Sequence, residues 1–179
     1  MARTRRTAVG LAAGVLSAVC CAMPSAQAAA PANGVNGVNG AHVDATFEGV
    51  FTYHACPAGD ASGDFCLSDT LTGASLPGVG PVVGHFEVDI HYGEFGGADC
   101  GPIDKHGDFT AADGSTIQVE AIGSLCKTPG TAQYVYVVTG GTGRLRHAHG
   151  CGVWQIPVAD AYVTGGGWGK EILTGTLHV

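Results

Sequence analysis

From Ala45 onward the chain alternates apolar and polar residues with a period of two. Phe47, Gly49, Phe51 and Tyr53 take turns with Glu48, Val50, Thr52 and His54. Phe86, Val88, Ile90 and Tyr92 do the same with His85, Glu87, Asp89 and His91, as do Ile117, Val119 and Ala121 with Gln118, Glu120 and Ile122. Successive side chains of a strand point to opposite faces, so each run has one buried and one more polar face. The pattern predicts eight strands, at about 46–54, 65–72, 83–92, 106–112, 115–123, 133–139, 145–156 and 170–178. No segment carries the 3.6-residue spacing of an amphipathic helix. Eight antiparallel strands with short links fit a closed β-barrel, which leaves no exposed edge. A two-sheet sandwich is the alternative from pattern alone.

The clearest hairpin runs from His106 to Gly123 about Asp113-Gly114, a two-residue turn that tolerates positive φ. Carried back along the strands, this register brings Cys126 beside Cys100 or Gly101. It predicts a Cys100–Cys126 disulfide, with a one-residue bulge near Gly101-Pro102. Cys56 and Cys66 then close the Gly/Asp-rich loop between them. Each bridge stabilises by roughly 2–4 kcal/mol. Cys151 is left without a partner in this scheme.

The N-terminus reads as an export signal. Arg3, Arg5 and Arg6 precede an apolar run from Ala8 to Ala22, and Ala26-Gln27-Ala28 supplies a small-x-small cleavage site. About 15 apolar residues fall short of the roughly 20 that span a bilayer. The expected organisation is a signal peptide at 1–28, a flexible Gly/Asn leader at 29–44, and one all-β barrel domain at 45–179. The leader's tandem, Asn33 to Gly40, holds too little apolar area to offset its ordering entropy. The mature protein is expected to be secreted, a setting in which disulfides persist. Loss of Arg3, Arg5 and Arg6 takes 8 Lys and Arg against 15 Asp and Glu to 5 against 15, a formal −10. Such a charge repels phosphate backbones and anionic lipid, which argues against nucleic acid and, after signal cleavage, membrane as partners.

The segment Val137-Val138-Thr139-Gly140-Gly141-Thr142-Gly143-Arg144-Leu145-Arg146-His147-Ala148-His149-Gly150 joins an apolar run to a Gly/Thr turn and a polar stretch. It resembles the V-V-G-G-T-G-x-F-R-x-A-R-G segment of plant dirigent proteins. It is also similar to the T-G-G-T-G-R-F segment of secreted actinobacterial proteins with an allene oxide cyclase-like barrel. Gly140, Gly141, Thr142 and Gly143 match the turn, and Arg146, Ala148 and Gly150 match later fixed positions. Leu145 stands where the family has Phe, and His149 where dirigent proteins have Arg. The closing stretch from Gly167 to Leu177 resembles the last strand of such barrels.

This resemblance implies an eight-stranded antiparallel barrel whose mouth accepts a small apolar molecule. It also implies a homo-oligomer and, if the protein is an enzyme, an isomerase or cyclase. The candidate catalytic groups are Arg146, His147 and His149. With Leu145 inward, strand alternation puts His147, His149 and Cys151 on the cavity face; the opposite assignment puts Arg144 and Arg146 there. The pair His147-x-His149 can share a metal ion with Cys151, exchange protons, or form a plain polar face. A cupin-type metal site needs a Glu where Val153 and Trp154 stand, so neither metal nor other cofactor is expected. The alternation of His85, Glu87, Asp89 and His91 fits a solvated outer wall. The rival function is a non-catalytic extracellular structural or interaction protein. Its barrel would be filled by Phe51, Tyr53, Phe86, Ile117, Val119, Tyr136 and Trp154.

Overall fold

The computed structural model describes residues 40–56, 65–128, 130–157, 159–163 and 165–179. The strands are β1 (Ala41–His54), β2 (Phe65–Leu76), β3 (Gly80–Ile90), β4 (Cys100–Ala111), β5 (Thr116–Cys126), β6 (Thr131–Gly141), β7 (His149–Ile156), β8 (Ala159–Val163) and β9 (Gly166–His178). Two short 3₁₀ turns, Tyr92–Phe95 and Gly143–Leu145, complete the described elements. All strands form one sheet in the order β1-β2-β3-β4-β5-β6-β7-β9-β8, and pairing of β1 with β9 closes it. Both β7 and β8 pair with β9, from Gln155↔Ile172 to Ala159↔Gly169, with a one-residue slip between them. They form one interrupted stave, so the fold is a closed, eight-staved antiparallel barrel and not a sandwich. The signal peptide and the leader up to residue 39 lie outside the described residues. The first stave begins at Ala41, four residues before the expected domain boundary, and Val43 is buried within it.

Period-two alternation builds the interior as the sequence pattern requires. Val43, Ala45, Phe47 and Gly49 face inward on β1, while His42, Asp44, Thr46 and Glu48 face solvent. Phe109 meets Phe47 at 5.2 Å and Phe86 at 5.0 Å between ring centroids, and Trp154 sits 5.0 Å from Phe86. Burial of each such ring contributes roughly 1.5–3 kcal/mol. An apolar inside and a mostly polar outside is the reverse of a barrel that faces lipid. Among the described residues no helix is long and apolar enough to cross a membrane.

The β4–β5 hairpin turns over three residues, Ala112–Gly114, and not over the expected two, with the Ala111 amide donating to the Ser115 carbonyl. Thr110 pairs with Thr116, the Ser115 amide donates to Asp113 Oδ1 at 3.0 Å, and Gly114 takes φ +81°. The longer turn moves the register by one residue. Cys100 therefore faces Cys126 directly and the disulfide forms at a Cα separation of 4.0 Å, without a bulge at Gly101-Pro102. The second bridge joins Cys56 to Cys66. Cys151 is also disulfide-bonded in the full-length chain, whereas the expectation of a leftover thiol concerned the chain after loss of residues 1–28.

The glycine-rich segment also departs from expectation, because residues 143–148 are not strand. β6 ends at Gly141, a 3₁₀ turn follows, and β7 begins at His149. This link caps one end of the barrel. Leu145 drops into the core at 1% exposure, with Leu76, Val79, Ala148 and Leu177 in the same buried cluster. Arg144 ties three turns together, donating from Nε to Asp113 Oδ2 at 2.8 Å, from Nη2 to the Val79 carbonyl at 2.9 Å, and from its amide to Ser115 Oγ at 3.2 Å.

Three substitutions check this architecture by urea denaturation. Leu145→Ala should cost about 2–5 kcal/mol, as expected for an emptied core position. Gly152→Ala should prevent native folding, because its Cβ would lie 1.9 Å from the Thr174 carbonyl oxygen across the β7–β9 ladder. Gly114→Ala, with open space around it, should cost only the roughly 1–2 kcal/mol of a left-handed backbone.

Candidate functional site

On three staves the inward phase is broken by a charge. Asp69 lies between Leu67 and Leu71 on β2, Lys105 between Ile103 and Gly107 on β4, and Glu171 between Gly169 and Leu173 on β9. Alternation turns each into the barrel, where exposures fall to 3%, 1% and 3%. Burying a charge is costly unless opposite charge and hydrogen bonds compensate it. Lys105 Nζ donates to Asp69 Oδ2 and, at 2.7 Å, to Glu171 Oε2. The Trp154 indole donates to the same Glu171 oxygen at 2.6 Å. The ammonium also lies 4.1 Å from the Trp154 ring centroid and 5.2 Å from that of Phe86, so aromatic faces complete its surroundings.

Burial pushes the Glu171 carboxyl up to about 7, with Lys105 opposing the rise and Asp69 adding to it. Burial pulls the Lys105 ammonium the other way, but Glu171 and Asp69 outweigh that and hold it above its ordinary value. The buried Tyr134 phenol is raised well above its usual range by burial first, then by Glu171, Asp69 and Asp104. Two carboxylates against one ammonium give the trio a formal charge of −1, which one proton on Glu171 cancels. Asp69 Oδ1 is buried and has no hydrogen-bond partner among the described residues.

Above the trio lies a cavity of about 50 Å³. Asp69, Lys105, Glu171 and Tyr134 form its floor, and Leu67, Val88, Ile90, Ile103 and Leu125 contribute to its walls. Half-buried Phe51, Tyr53 and Ile156 carry it toward the surface. This is the end of the barrel that both described disulfides brace. The opposite end is filled by the ring stack and plugged by Leu145.

Arg146, His147 and His149 lie on the plugged end and are exposed. His149 stacks on His178 at 4.4 Å, and its Nδ1 lies 3.1 Å from the His147 carbonyl oxygen. None of the three lines the cavity. The strand alternation that would have turned either the imidazoles or the arginines inward fails because the 3₁₀ turn interrupts it. His85, Glu87 and Asp89 lie on the outer wall, where His54 pairs with Glu87 at 2.8 Å and His91 with Asp104 at 2.6 Å. There Asp89, Asp104 and His106 bring their side-chain donor atoms within 4.8 Å of one another.

Sequence reasoning passed over Asp69, Lys105, Glu171 and Tyr134. A signal was present, since two acids and one base each fall in the apolar phase of a strand. The molecule is thus a closed antiparallel barrel with an ion cluster at mid-height and a small cup at one end. Comparison with family models, with curated proteins and with solved structures yields no match.

Lys105→Met should destabilise the barrel by about 3–5 kcal/mol, because it strands two buried carboxyls without a counter-charge. Replacing all three residues with apolar side chains of similar volume should recover most of that loss in chemical denaturation. A carboxyl with a higher pKa folded than unfolded holds its proton more tightly when folded. Glu171 therefore adds stability below its ordinary value of 4.5 and loses that contribution as pH climbs through about 7. Glu171→Gln should remove this decline from a stability profile measured across that window.

Proposed function

We propose that this protein is a secreted binding barrel, akin to allene oxide cyclase-like and dirigent-like barrels, that takes a small and largely apolar molecule into the cup. The observation that carries the reading is an apolar-walled cavity that ends on a polar, hydrogen-bonding floor, the usual make-up of a small-molecule site. Kinship is supported by the eight closed staves and by the Gly140–Gly143 match. Disulfides at Cys56–Cys66 and Cys100–Cys126 support an oxidising compartment and hence export. A cavity of about 50 Å³ is well below the roughly 300–1,000 Å³ of drug-sized pockets. The guest is accordingly a molecule of few heavy atoms, or the end of a longer one. Isomerase or cyclase chemistry would run from Glu171, Lys105 and Tyr134, since these groups line the cavity and Arg146, His147 and His149 do not. A carboxyl that titrates near neutrality is suited to moving a proton in such a reaction.

The rival reading, a non-catalytic structural barrel, is favoured by one observation. Phe47, Phe86, Phe109 and Trp154 fill the half of the interior beyond the trio.

Methyl NMR of Leu67, Ile90, Ile103 and Ile156, titrated with short-chain alcohols, ketones and amines, separates the two. Saturable shifts confined to these residues, with a change in Trp154 emission, are expected for a binding cup. Shifts that stay linear in ligand for every compound would leave the filled, structural barrel as the function.

A further inference from the structure

We propose that the guest of the cup is an apolar cation, an alkyl or arylalkyl ammonium, whose charge is met by the Asp69 and Glu171 carboxylates of the floor. The inference rests on the cup being a binding site and adds the chemical class of what it holds. Three features of the floor argue for it. With Glu171 ionised, Asp69 Oδ1 is a buried acceptor without a donor among the described residues, and buried acceptors are very seldom left so. The trio carries two carboxylates and one ammonium, so with all three ionised it leaves one negative charge facing an apolar space. The charged donor at the floor is already engaged, because Lys105 Nζ serves both carboxylates, and the Trp154 indole serves Glu171, which leaves the neutral Tyr134 hydroxyl as the floor's remaining side-chain donor. A guest anion would meet like charge there. A guest cation supplies both the missing proton donor and the missing positive charge.

The approach to the floor suits the same ligand. Phe51 and Tyr53 stand edge to face at 5.8 Å near the mouth and offer π surface to a passing cation. The chain as a whole has 15 Asp and Glu against 8 Lys and Arg, which draws cations toward it.

A proton on Glu171 is the alternative way to neutralise the trio, so proton and ammonium compete. The groups that face Glu171 are Lys105 on β4, Asp69 on β2, the Trp154 indole on β7 and Tyr134 on β6. From β1 only Tyr53 lines the same cavity among titratable groups. Ammonium binding should therefore tighten as pH rises through the Glu171 titration.

The test uses the intact wild-type protein and three near-isosteric probes, n-butylamine, n-butanol and butyrate, followed by calorimetry and methyl NMR. Expected are an amine affinity about tenfold or more above that of the alcohol and no saturable binding of butyrate. The amine's advantage should widen between about pH 5.5 and about pH 8. Asp69→Asn should bring amine and alcohol to within about threefold of each other. Equal or tighter binding of butanol or butyrate would overturn the cation while leaving the binding cup intact. If none of the three binds, Asp69 Oδ1 is met by water or by the Glu171 proton, and both the inference and the binding reading fall.

Discussion

A lysine ammonium cannot sit in an apolar interior without counter-charge, and in this barrel two carboxylates meet that demand from separate staves. Lys105 belongs to β4, Asp69 to β2 and Glu171 to β9. The last of these enters only when the C-terminal strand returns to pair with the first. Closure of the sheet and neutralisation of Lys105 are thus one event. An open sheet would leave Lys105 short of Glu171, and a closed sheet without Lys105 would leave two carboxylates facing each other in a low-dielectric space.

The trio also divides the interior. On one side the rings of Phe47, Phe86, Phe109 and Trp154 pack at centroid spacings of 5.0–6.1 Å. Leu145 and the Arg144 clamp close that end. On the other side aliphatic walls leave a cup, and covalent bridges at Cys56–Cys66 and Cys100–Cys126 hold its rim. Rigidity at the plugged end and covalent bracing at the open end both favour a preformed interior, which lowers the ordering cost of taking up a guest. An apolar replacement of the trio should retain most of the stability, so stability alone does not explain why charge is kept there. Its placement at the floor of the cup ties it to whatever enters.

Much of the fold was legible from alternation alone. Period-two spacing puts Phe47, Phe86, Val88, Ile117 and Val119 on the apolar face of their strands, and each is buried. The two cysteine pairings were legible as well, one from hairpin register and one from loop closure, although the β4–β5 turn is one residue longer than its Asp-Gly pair suggested. The candidate site was not legible. Arg146, His147 and His149 stand beside a glycine-rich motif whose resemblance points to the barrel wall, but that motif forms the 3₁₀ cap between β6 and β7. Asp69, Lys105 and Glu171 are far apart in the chain, and each alone reads as an ordinary charged residue on a strand.

The sequence by itself determined which faces are buried, how neighbouring strands pair, and that the chain is built from antiparallel hairpins. These properties depend on a two-residue period and on short-range turns, both local in the chain. Tertiary structure alone decided that three lone charges share one site, that the cup lies opposite the glycine-rich link, and that the imidazoles face water. Those outcomes follow from closing the sheet, which brings β9 against β1 and sets residues 66 positions apart, Lys105 and Glu171, within a hydrogen bond of each other.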